Sequence, residues 1–129
     1  MDNREKMIGE TIQRWHLSDD HETLTMTMVS GNSYRLTTWG DCCSFTWIES
    51  IDGAEALSGG TITAVEDIDM PDLGNVPAES MTSVDEVAYY GLRITTTKGR
   101  AVLDYRNTSN GYYGGGLDVT RYAKDGSVA

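Results

Sequence analysis

The chain has 129 residues, 20 Asp plus Glu against 10 Lys plus Arg, and a formal net charge of −10. That length fits one domain, which buries roughly two-thirds of its unfolded surface in a single core without a metal or a disulfide framework. The acidic balance counts against any broad duplex-DNA or membrane-binding surface, because phosphate and anionic lipid would both be repelled.

Residues 1–6 lead into no signal-peptide apolar stretch, and no run approaches the roughly 20 apolar residues of a membrane helix, so the expected setting is cytosolic and the expected start is a flexible N-terminus. Residues 7–17 are ambiguous, since Ile8, Ile12 and Trp15 also fit helical spacing. A clear hairpin follows: strand 24–29, with Leu24, Met26 and Met28 on one face, the turn Ser30-Gly31-Asn32-Ser33, and strand 34–39. Asp52-Gly53-Ala54-Glu55-Ala56-Leu57-Ser58 reads as a helical turn or two, with Asp52 as cap and Glu55 at the capping-box position. Gly9-Glu10-Thr11-Ile12 then recurs as Gly59-Gly60-Thr61-Ile62, again ahead of a hairpin, here strand 89–97, the turn Lys98-Gly99 and strand 100–105. Residues 69–86 hold both prolines and five acids and read as a mobile, solvated loop. After Asn110-Gly111-Tyr112-Tyr113-Gly114-Gly115-Gly116 comes a last strand, 117–122, and a flexible tail, 123–129.

The expected fold is therefore mainly β, or α+β with one short helix, in a single domain over residues 7–122. Two three-strand meanders, at 8–40 and 59–106, plus the C-terminal strand would make antiparallel sheets in a barrel or a sandwich with pseudo-twofold symmetry. Chance resemblance between glycine-bounded strands is the competing account of the echo.

Charge is uneven along this plan. No Lys or Arg stands between Arg35 and Arg93, a stretch with 11 acids, whereas from Arg93 onward six cations face three acids. An anionic ligand would thus look to Arg93, Arg100 or Arg106, with Tyr112 or Tyr113 stacking a base and the backbone at Asn110, Gly111 and Gly114 open to close approach. A tight Asn-Gly turn and a bulged strand explain the same glycines without a ligand, and the segment matches neither the P-loop nor the dinucleotide fingerprint. If the meanders are symmetry-related, this segment and Asp41-Cys42-Cys43 end equivalent strands, which would bring Trp39 and Asp41 beside Asn110, Tyr112 and Tyr113. Cys42 and Cys43 read as free, buried, non-catalytic thiols, because neither His16 nor His21 stands in a recognisable catalytic context. Glu66, Asp67, Asp69 and Asp72 lack the spacing of a calcium loop. No metal and no cofactor are expected.

Gly9-Glu10-Thr11-Ile12, Gly40-Asp41-Cys42-Cys43 with Trp47-Ile48-Glu49, Leu57-Ser58-Gly59, and Asn110-Gly111-Tyr112-Tyr113-Gly114-Gly115 resemble, in that order over residues 7–122, a domain of unknown function in small proteins of tailed bacteriophages, especially of actinobacteria. The resemblance implies a phage accessory protein in the host cytoplasm and supplies no catalytic residues. The expectation is a non-enzymatic binding protein, acting in counter-defence by engaging a host protein or by sequestering a small anionic signalling nucleotide. A homo-oligomer is left open, and a structural or assembly protein of the virion is the alternative.

Overall fold

The computed structural model describes residues 3–40, 44–69, 86–109 and 115–128. Among these residues, eight strands make two four-stranded antiparallel sheets: β1 (Ile12–Leu17), β2 (Thr23–Met28), β3 (Ser33–Gly40), β4 (Phe45–Asp52), β5 (Ile62–Asp69), β6 (Glu86–Thr96), β7 (Gly99–Ser109) and β8 (Gly115–Tyr122). The first sheet has the order β1-β2-β3-β8 and the second β4-β7-β6-β5, and the two are not closed into a barrel. The remaining regular structure among the described residues is two 3-10 turns, Arg4–Met7 and Ala54–Ala56.

Both expected meanders are present, and the symmetry between them is carried by the backbone. Gly9 N–H donates to the Ile62 carbonyl and Gly59 N–H to the Ile12 carbonyl, both at 2.8 Å. Ile12 N–H donates to Gly60 and Ile62 N–H to Glu10, both at 2.9 Å, and the Thr11 and Thr61 hydroxyls meet at 2.7 Å. Gly9 and Gly59 both have positive φ, 92° and 80°, a conformation that favours glycine. A bulge follows in each copy, between Ile12 and Arg14 and between Ile62 and Ala64. The echo of four residues is thus a pseudo-twofold axis through Thr11 and Thr61.

The fourth strand of each half is exchanged. β4 leaves the first meander and pairs with β7 of the second, while β8 leaves the second and pairs with β3 of the first. This adds an eighth strand to the seven expected. β4 was not legible as a strand because its bulge between Ile48 and Ser50 breaks the alternation, turning Ile48 and Ile51 inward three residues apart. Residues 7–17 resolve into the 3-10 turn and β1 rather than a helix. The turn after β4 is capped by Gly53, at φ 77°, with no side-chain cap, so Asp52 does not take the capping role expected of it.

Alternation sets the core. Leu24, Met26, Met28, Tyr34 and Leu36 of one sheet join Ile48, Leu92, Ile94, Ala101 and Leu103 of the other in one core, together with Met7 of the first 3-10 turn and Leu57, which follows the second. Asn3 N–H bonds the Val119 carbonyl at 3.1 Å, so the chain is already tied to β8 ahead of the first turn. At the other terminus, Val128 bridges back to Tyr122.

A candidate binding groove beside Trp39

The exchange of β4 and β8 determines what lies near Trp39. Gly40 stands opposite Gly115 and Trp39 opposite Gly116, while Phe45 stands opposite Thr108, so the connections β3 to β4 and β7 to β8 start and finish on neighbouring strands. Asp41, Cys42 and Cys43, like Asn110, Gly111, Tyr112, Tyr113 and Gly114, lie outside the described residues, as does most of the acidic segment 69–86. At the crossing, Asn107 Nδ2 donates to Thr46 Oγ1 at 2.8 Å and the Thr46 hydroxyl donates to the Trp39 carbonyl at 2.7 Å. Asn107 and Thr46 are buried, and this pairing satisfies groups that would otherwise be costly there. The knot fixes the backbone at Trp39, whose ring lies across Gly116 and is 44% exposed.

Between the sheets at this corner lies a groove of about 490 Å³. Its aromatic walls are Trp39 and the stacked pair Tyr90 and Tyr105, with ring centroids 5.2 Å apart and planes at 18°. Asp67 and Asp118 form its polar side together with Arg4. Arg4 Nη1 is 2.6 Å from Asp67 Oδ1, and Nη2 reaches the Leu117 carbonyl at 3.3 Å. One carboxylate thus neutralises the arginine and the second leaves the lining acidic. Among the described residues, Trp39 is the one groove residue also expected from the sequence at a binding site. Arg4, Asp67, Tyr90, Tyr105 and Asp118 are added by the fold, and the register pairing of Tyr90 with Tyr105 is the feature that unites the two tyrosines.

The arginines expected to meet an anion are elsewhere, on the outer face of the second sheet. Arg93 Nη2 sits 3.2 Å from Glu66 Oε1. Arg106 donates through Nε and Nη2 to both oxygens of Asp104, at 3.2 and 3.0 Å, lies 3.9 Å from Glu49 and rests over the Tyr89 ring at 5.0 Å. The hydrogen bond to Asp104 holds its guanidinium pKa above the usual arginine value, outweighing partial burial. Arg100 is exposed at the start of β7. These three do not converge on Trp39. Among the described residues, no three His, Cys, Asp or Glu side chains are grouped to hold a metal ion, and no helix is long and apolar enough to cross a membrane.

Residues 5–119 match the model of a domain of unknown function, DUF7448. No curated protein and no solved structure matches the chain.

Proposed function

The chain belongs to the DUF7448 family, and we propose that it is a non-enzymatic binding protein of a tailed bacteriophage, made in the host cytoplasm, that engages a host protein through the groove beside Trp39. The phage setting and the counter-defence role rest on the motif resemblance. The choice of a protein over a small anionic ligand rests on one observation: Arg4 in the groove, and Arg93 and Arg106 outside it, each have a carboxylate within 2.6 to 3.2 Å, while Arg100 is exposed at the start of β7 and does not line the groove. A phosphate arriving at any of the three paired arginines would face a neighbouring negative charge and gain little. The exposed indole of Trp39, the paired tyrosines and the residual charge of Asp118 instead suit an aromatic or aliphatic side chain flanked by basic residues, the usual anchor chemistry of a protein interface.

Capture from lysate of the bacterial host tests this. The tagged protein is expected to retain a host protein that Trp39→Ala and Asp118→Lys variants with unchanged circular dichroism release. A nucleotide recovered from the denatured protein would overturn the choice of partner. Recovery with purified particles, undiminished by Trp39→Ala, would favour the virion component.

A further inference from the structure

A second aromatic surface lies away from the groove, where the turn between β1 and β2 folds against the start of β4. Phe45 and Trp47 stack with centroids 5.6 Å apart and planes at 15°, and Phe45 is 50% exposed. With Asp19, Asp20, His21 and Thr108 they line a recess of about 430 Å³.

The recess is held in shape from several sides. His21 takes a left-handed backbone conformation, φ 60°, rare for a residue with a side chain. Ile48 N–H donates to its carbonyl at 2.7 Å, and its ring Nδ1 donates to the Ile48 carbonyl at 2.7 Å. Asp20 is pinned by the Ser18 hydroxyl at 2.6 Å and the Glu22 N–H at 3.0 Å. Trp47 is oriented by its indole N–H, which donates to Glu49 Oε1 at 2.9 Å. Asp20, His21 and the Trp47 ring are therefore in place before any ligand arrives, which lowers the ordering cost of binding.

Charge selects the occupant. Asp19 and Asp20 share the lining of the recess with the aromatic pair, and among the described residues neither ring has a cation over it, whereas on the same sheet Arg106 rests over Tyr89 while paired with Asp104. The chain thus uses the combination of arginine, aromatic ring and carboxylate internally, one strand away. We propose that the Phe45–Trp47 recess is a binding site for an arginine side chain of a partner peptide, the guanidinium lying over the ring pair and bonding the Asp19 and Asp20 carboxylates. A guanidinium suits this better than an ammonium because it is planar, stacks on aromatic faces and offers several donors at once. The site does not depend on the groove at Trp39 or on the family's phage setting.

An acetylated tetra-arginine peptide, titrated into the ¹⁵N-labelled full chain, tests it. The expected result is a saturable shift of the Trp47 indole and His21 amide signals, with the Trp39 indole unmoved and weaker binding of tetralysine. Phe45→Leu and Asp19→Asn should each raise the dissociation constant about three- to fivefold, and both side chains are exposed enough for the variants to fold. Shifts spread evenly over the acidic surface would overturn the site, as would unchanged affinity in either variant. Equal affinity for tetralysine would overturn the choice of arginine.

Discussion

A methyl group at Gly115 would run into Thr46 Oγ1, with Asn107 Nδ2 and the Trp39 carbonyl each 2.6 Å away. All three belong to the hydrogen-bonded knot, so none can retreat without leaving a buried polar atom unpaired. Gly115→Ala should therefore cost about 1–3 kcal/mol of stability in chemical denaturation, and it should change the environment of Trp39. A second effect at this scale is electrostatic. The Ser18 hydroxyl donates to Asp20 and lowers its pKa from 3.8, and Asp20 in turn raises that of Glu22 above 4.5. The depressed Asp20 contributes stability that is present above pH 3.8 and fades as pH falls through its lower folded value, whereas ionised Glu22 opposes folding as pH rises past its own ordinary value. Carboxyl titration followed by NMR should find the two midpoints displaced in opposite directions, and Ser18→Ala should bring that of Asp20 back up.

Between elements, Tyr34 joins the first sheet to the N-terminal turn. Its side chain is fully buried, and its hydroxyl donates to the Lys6 carbonyl at 2.9 Å with Glu10 Oε2 at 3.3 Å. Tyr34→Phe keeps the ring and deletes those bonds, which should lower stability by about 0.5–1.5 kcal/mol. Burial, the largest cause, raises the phenol pKa above 10.0. The neutral form is thus favoured in the fold, so this contribution is complete below pH 10.0 and is lost as pH rises through the higher folded value. The wild-type chain should accordingly lose stability more steeply at alkaline pH than Tyr34→Phe, as read from denaturation midpoints across that range.

Across the whole molecule, the exchange of β4 and β8 means that neither half owns a complete sheet. Opening one sheet strips a strand from the half that supplies the other, so the molecule should unfold as one cooperative unit. Leu36 and Leu103 occupy equivalent inward positions in β3 and β7, and both are fully buried. Leu36→Ala and Leu103→Ala should each cost about 2–5 kcal/mol. In both variants tryptophan fluorescence and far-ultraviolet dichroism should give coincident transitions. Two separated transitions, with only one moved by each substitution, would show that the sheets are independent.

Much of this architecture was legible locally. Alternation at Leu24, Met26 and Met28, the turns at Gly31 and Gly99, and the echo of Gly9-Glu10-Thr11-Ile12 in residues 59–62 gave the class, both meanders and their relation, because strand period and positive-φ glycines are properties of short segments. β4 was hidden because its bulge removes the period that would have marked it. The candidate sites were less accessible still. Arg93 and Arg106 looked like free cations in a basic stretch, yet Glu66 stands beside Arg93 through strand register, and Asp104, two residues before Arg106, shares its face once the segment is a strand. Trp39 could be singled out from the chain alone. Its meeting with Arg4, Asp67, Tyr90, Tyr105 and Asp118 required two sheets and an exchanged strand, since contacts between residues far apart in sequence are decided by how the elements pack and not by the segments that form them.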